Sequence, residues 1–341
     1  MNLLPTSEQT QIIEAARSFL AGEAPLERLR PQHGQVGNRD ARLWGDFAEL
    51  GFLTLGLPES QGGVGLGPCE EALLYRELGR HLISPGVLGL TLGARLAARA
   101  DDTAALEAIA SGSVRVGLAN ARGPVSLGPE TDGEFHLIEG REAAWAIAWS
   151  EDGAGLFRTS EFTGVQDILC MDTHLSLERA GLDGVAPLVW APADEDPIAD
   201  RALLLIAAYA VGLADGARDM AVGYAKLREQ FGKPIGSFQA VKHKCADMAI
   251  LAEAAWCQTA FASVALAAGR SDARFHVTAA KVLATDAALK NAAQNIQVHG
   301  AFGFTAEADA HLFLKRAHVM DILGGDLRAQ RAALLREPAA A

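Results

Sequence analysis

Residues 227–239 read LREQFGKPIGSFQ and lie between two long alanine-rich stretches at helical spacing. Gly232, Pro234 and Gly236 each interrupt a helix, so the segment is a turn. A turn of this size needs neither an arginine nor two phenylalanines. Alone it reads as a helix-capping turn, with Arg228 paired to a nearby carboxylate and Phe231 and Phe238 in the core. Whether it does more depends on what surrounds it.

The chain has 341 residues, half of them hydrophobic and 21% charged, enough apolar surface for a large core in two or three domains. A net charge of −12 and a pI near 5.2 argue against a nucleic-acid partner, which requires clustered Lys and Arg. A small-molecule substrate is expected. The start, MNLLPTSEQTQ, lacks the form of a signal peptide, and charges are expected to interrupt each apolar run before a membrane span is reached. The chain reads as cytoplasmic. Cys69, Cys170, Cys245 and Cys257 form no CxxC pair, so they are expected to be buried small apolar residues rather than disulfides or zinc ligands.

Three regions follow. Residues 1–113 are helical, with Ser7 as a candidate N-cap followed by Ile12, Ile13, Ala16, Phe19 and Leu20 at helical spacing. Gly51 ends a helix, the glycine-rich run from Pro58 to Gly67 reads as a connecting loop rather than a phosphate site because no Lys-Ser/Thr ending follows it, and CEEALLYRELGRHL is a further helix ending around Gly79 to His81, with two short ones after it. In residues 114–196, seven short apolar segments (VRVGLAN, EFHLIEG, AAWAIAWS, GLFRTS, VQDILCM, LSLERAG and PLVWAP) alternate with Gly, Pro, Asp and Ser, the rhythm of a small antiparallel β domain. PADEDP (192–197) is the expected linker. From 197 to 341 the chain is helical again, and RALLLIAAYAVGLADGARDMAVGYAKL is apolar over most of its circumference, as in a helix inside a bundle. No βαβ alternation is present, which excludes a Rossmann domain.

A second motif lies far downstream, QNIQVHGAFGFTAEADAHLFLKRA at 294–317. An Arg-x-x-Phe-Gly turn within REQFGKPIGSFQAVKHKCADM, followed by Gln-x-x-Gly-x-x-Gly-Phe, resembles the C-terminal bundle of the acyl-CoA dehydrogenase family. FAELGFLTLGLPESQGGVGLG resembles that family's first domain, and the order of regions is the same. The resemblance is weakest over 117–195. It implies a mainly α fold with a small β domain: an N-terminal helical domain, a small β-barrel-like middle domain and a C-terminal four-helix bundle, with FAD bound across a subunit interface. By the match, Arg228 reaches the FAD of a neighbouring subunit, Phe231 lies beside the adenosine, Gln239 and Gln297 hydrogen-bond the adenosine half, and Gly300 with Ala301 admits the cofactor to the backbone. Physical chemistry agrees, since a guanidinium is a planar fork of donors suited to pyrophosphate and a phenyl ring is a flat apolar surface. Gly232 and Gly236 let the turn close without a Cβ clash.

The resemblance also implies a glutamate that takes the substrate α proton while the β hydrogen leaves as hydride to the flavin. Registering RAHVMDILGGDLRAQR by its final Gln330 and Arg331 puts Gly324 at that position. The family's alternative site, about ten residues before the equivalent of Gly212, is Ala202. Asp200 substitutes only if the register slips by two residues, and it reads more simply as a first-turn acid. The β domain departs too, with GLANARGPVSLGP and EAAWAIAWSEDG in place of the family's flavin-contacting runs; Trp145 and Trp149 share one face of a strand. His311, His318 and Asp321 read as a solvated or core-edge group rather than a metal site, and LKRA (314–317) as a cofactor aid or an ordinary charged face.

Base and flavin-ring contacts are missing while the adenosine clamp is intact. That pattern is expected of the FAD-clamping subunit of a hetero-oligomer whose base lies on a homologous chain, as in some bacterial family members built from two unlike chains, including ones acting on sterol side chains. The alternatives are a self-sufficient homo-oligomeric dehydrogenase with a non-standard base, and a non-flavin helical scaffold. Implied partners are an acyl-CoA substrate, a homologous or identical chain and an electron-accepting flavoprotein.

Overall fold

The computed structural model describes residues 3–32, 40, 42–193 and 197–337; the centre of the expected PADEDP linker, 194–196, lies outside them. The chain groups into two compact units, one of residues 1–33, 72–83 and 204–341, the other of 34–71 and 84–203.

In the first unit, α1 (Ser7–Glu23) is capped by Thr6, not Ser7. Thr6 Oγ1 accepts the Gln9 N–H at 3.2 Å and Gln9 Oε1 accepts the Thr6 N–H at 3.0 Å, a reciprocal box that the Thr-x-x-Gln spacing allows and Ser7 lacks. Helix α6 (Ile198–Leu227) runs from the second unit into the first, and every residue from Ile198 to Asp215 is buried, as an all-round apolar helix requires. It packs tightly on the end of α3 (Pro68–Arg80): a Cβ added at Gly212 would lie 2.0 Å from the Arg76 carbonyl oxygen. The charges here are held in place. Asp215, 0% exposed, meets Arg76 Nε and Arg218 Nη1 at 2.7 Å each and Arg80 Nη1 at 3.3 Å.

Helices α7 (Gln239–Ala267), α8 (Ala273–His299), α9 (Ala310–Ile322) and α10 (Leu327–Leu334) complete the unit. The apolar run of α7 is interrupted as expected, by Glu253, and the charge-free stretch after it, 254–269, is shorter than a membrane span. Taken whole, with Glu253 included, that helix alone among the described residues matches a membrane span by length and composition, and 39% of its apolar window is buried. The LKRA run is no charged face: Arg316 on α9 is buried and donates to the carbonyls of Leu82 and Ile83 at 2.9 and 2.6 Å and to the Tyr209 hydroxyl at 2.7 Å. Of the cysteines Cys170 is buried, but Cys257 is exposed.

The second unit places α2 (Leu43–Glu49), α4 (Gly86–Arg99) and α5 (Thr103–Ala110) with a seven-stranded sheet. The strands are β1 (Val116–Ala121), β2 (Thr131–Ile138), β3 (Trp145–Trp149), β4 (Gly153–Arg158), β5 (Thr163–Asp167), β6 (Leu177–Val185) and β7 (Val189–Pro192), one for each segment read from sequence. Their order is β5-β6-β2-β1-β3-β4-β7. One pairing corrects the antiparallel expectation: β1 and β3 run parallel, Val116 opposite Trp145, because the β2 hairpin returns the chain to the other side of β1. Phe135, Phe157 and Phe162 form the sheet's aromatic core, edge to face at 5.9 and 6.3 Å.

Candidate functional site: an open clamp at one end of the bundle

Helix α6 ends at Leu227, and Arg228 follows with its N–H still donating to the Tyr224 carbonyl at 2.8 Å. Glu229–Gln230 and Lys233–Pro234 then pair as a two-stranded hairpin, Gln230 opposite Lys233. Its tip is Phe231–Gly232 with φ of 54° and 76°, the paired positive values of a type I′ turn. Glycine takes that conformation freely, whereas a phenylalanine there costs about 1–2 kcal/mol. Such strain persists where the surroundings impose it, and it concentrates at ligand clamps. Phe231, on this strained backbone, is also 91% exposed. Phe238 meets it edge-on at 6.1 Å, and Lys233 Nζ lies 4.5 Å over the Phe238 ring. Gly236 seats the turn on α6, where an added Cβ would come within 2.9 Å of the Ala225 oxygen.

A helix-capping turn would bury its phenylalanines and pair its arginine. Neither happens. Phe231 is exposed, and the Arg228 guanidinium makes no ion pair among the described residues. Gln239 opens α7 and is exposed, as is Gln297 in the last turn of α8. Gly300 ends α8 with φ 64° and ψ −143° and nothing within 4 Å of where its Cβ would be, a backbone shape open in practice only to glycine. Ala301 beside it is exposed.

The two motifs meet through residues that the sequence reading passed over. Tyr224, whose carbonyl holds Arg228, stacks on His299 at 4.1 Å with 25° between the rings, and Phe302 lies parallel to it at 6.4 Å. His299 Nδ1 is 2.8 Å from the Asn295 oxygen. Burial holds its imidazole below the usual histidine range, the hydrogen bond to Asn295 opposing it. The only signal in the sequence was position: Tyr224 is one turn before Arg228 and His299 immediately before Gly300. Free donors, an exposed aromatic and an unobstructed glycine fit the pyrophosphate and adenosine of a dinucleotide.

The places for a base are different. Gly324 and Gly325, between α9 and α10, have φ of 67° and 102°. Gly324 O accepts from Gln330 Nε2 at 2.5 Å. The acids on either side serve the backbone: Asp321 Oδ1 accepts the Leu327 N–H at 2.9 Å and Asp326 caps α10 through the Ala329 N–H at 2.8 Å. Ala202 is 0% exposed, and Asp200 is buried in the first turn of α6. Arg201 between them pairs with buried Glu71.

A helical domain, a central sheet and a C-terminal set of helices make up the fold of a class of flavin-dependent oxidoreductases. The family model "Acyl-CoA dehydrogenase, N-terminal domain" matches residues 6–113, and "Acyl-CoA dehydrogenase, C-terminal domain" matches 200–337. Acyl-CoA dehydrogenase IpdE2 of Mycobacterium tuberculosis is 33% identical over 93% of this chain and 92% of its own. Acyl-CoA dehydrogenase FadE34 of the same organism is 36% identical over 92% of this chain but only 45% of its own, so the chain spans about half of that relative. Among solved structures, a variant of the Tcur3481–Tcur3483 steroid ACAD superposes with a TM-score of 0.83 at 27% identity, covering 96% of each chain. The chain belongs to the acyl-CoA dehydrogenase family, whose members bind FAD.

Proposed function

We propose that this chain is the FAD-clamping subunit of a hetero-oligomeric acyl-CoA dehydrogenase acting on steroid-derived acyl-CoA thioesters, with the catalytic carboxylate on a homologous chain. In this reading residues 1–113, 114–196 and 197–341 are the family's three domains. The observation that carries it is the glycine pair at 324–325, which turns the backbone with left-handed geometry where a base is expected, while both neighbouring acids are tied to main-chain N–H groups.

FAD, when bound, supplies the acceptor for the hydride leaving the β carbon. This chain's part is to hold it: Arg228 neutralises pyrophosphate charge, Phe231 covers the adenosine face, Gln239 and Gln297 donate and accept at its polar edge, and Gly300 and Ala301 leave room. A missing base forfeits about 10²–10⁴ in rate, so chemistry requires the second chain. Two comparisons support this. The steroid relative carries two protein designations, and FadE34 holds more chain beyond the matched part than this whole sequence contains.

The test is Arg228→Ala, coexpressed with the homologous chain. The assembly should form with the clamp's share of FAD absent. Unchanged flavin content would refute the assignment of Arg228.

A further inference from the structure

Glu178 on β6 is 3% exposed, and neither of its carboxylate oxygens has a hydrogen-bond partner. It borders an open pocket of about 350 Å³, with Leu137, Arg141, Ser160, Val165 and Asp167 among the other lining residues. Strand register sets Asp167 of β5 directly opposite Glu178. Like charges in that relation repel unless a cation intervenes. Arg141 intervenes unequally: its Nη2 donates to Asp167 Oδ1 at 2.5 Å, whereas its Nε stays 3.6 Å from Glu178 Oε1, too far for a hydrogen bond. One guanidinium therefore balances two carboxylates, and the buried end of the pocket keeps a net negative charge.

A buried carboxylate without a donor is held at a cost. Burial accordingly pushes the Glu178 carboxyl above its ordinary range, with Asp167 adding to the push and Arg141 and the Ser176 side chain opposing it. A ligand that brings N–H donors removes that cost. Leu137 and Val165 give an apolar wall for a short stem, and Ser160 a hydroxyl. We infer that this pocket binds an ammonium or guanidinium group on a short apolar stem, with Glu178 accepting its hydrogen bonds.

That chemistry comes either as a free small cation or as a basic side chain of a polypeptide. For the second source, β5 is an edge strand exposed at all five residues, and it runs into Ile168, Leu169 and Met171, which are 38%, 92% and 56% exposed. A strand laid along such an edge finds unpaired backbone groups.

The test is calorimetric titration of the native assembly with n-butylguanidinium chloride and, separately, with the blocked tripeptide Ac-Val-Arg-Val-NH2. Saturable binding by the wild type is expected, weakened at least tenfold by Glu178→Gln, the worth of a charge-assisted hydrogen bond. Glu178→Gln is isosteric and replaces a buried carboxylate whose oxygens have no hydrogen-bond partner, so it should fold. Arg141→Gln removes the competing cation and should tighten binding several-fold. A tripeptide at least tenfold tighter than the small probe assigns the site to a polypeptide side chain, and a smaller difference assigns it to a free cation. Absence of saturable binding by either probe, or equal binding by wild type and Glu178→Gln, overturns the inference.

Discussion

Tyr224 stacks on His299, ring centroids 4.1 Å apart and planes 25° from parallel, and this contact joins the Arg228 turn to the Gly300 end of α8. Aromatic pairs of this kind contribute about 0.5–1.5 kcal/mol beyond area burial. Tyr224→Ala should therefore weaken FAD retention about tenfold while leaving the helical content intact, and Tyr224→Phe should retain it. Flavin-to-protein ratio and far-ultraviolet circular dichroism read the two effects separately. Because burial lowers the His299 pKa, its contribution is fully present above the unfolded value of about 6.5 and is lost as pH falls through the lower folded value.

Asp215 has three arginine partners and 0% exposure. Removing one member of a buried ion group leaves uncompensated charge and costs about 3–5 kcal/mol. Asp215→Asn should lower stability by that amount in urea unfolding, with the m-value unchanged; a loss below 1 kcal/mol would mean that the arginines find solvent.

Lys281 gives a pH signature. It is fully buried on α8, and its Nζ donates to the carbonyls of Met320 and Asp321 at 2.5 and 3.2 Å, closing the C-terminal end of α9. Burial lowers its pKa to about 7, against the pull of Asp321 and Asp326. Between that value and the unfolded one near 10.5, the unfolded chain holds the proton and the folded chain does not, so stability rises with pH across the window. The Tm should be higher at pH 9 than at pH 7. In Lys281→Met that increment should shrink; an unchanged increment would assign it to other groups.

Much of this was legible in sequence. Each strand announced itself as a short apolar segment bounded by turn residues, and α6 as an apolar run too continuous for a surface helix. Arg228, Phe231, Gln239, Gln297 and Gly300 were visible as two motifs. What was not legible depends on contacts distant in the chain. The parallel pairing of β1 with β3, the burial of Arg316 under carbonyls of Leu82 and Ile83, the opposition of Asp167 to Glu178 and the Tyr224–His299 stack have no local pattern. Thr6 was passed over for Ser7 because the two residues are chemically alike at an N-cap, and only the reach to Gln9 separates them.

At Gly324, φ is 67°, so Gly324→Ala should cost about 1–2 kcal/mol of stability and leave the turnover of the assembly within a factor of two. Asp200→Asn should likewise leave turnover nearly intact. A loss approaching 10³-fold, within the range for a removed base, would make Asp200 the base and this chain a self-sufficient enzyme.

The most direct measurement is the visible absorption spectrum and mass of the chain purified alone and after coexpression with the homologous chain that the proposed function requires. A colourless chain that becomes a yellow hetero-oligomer with that second chain, bleached by a steroid-derived acyl-CoA, is the predicted result. A yellow homo-oligomer bleached by the same thioester without any second chain would contradict it.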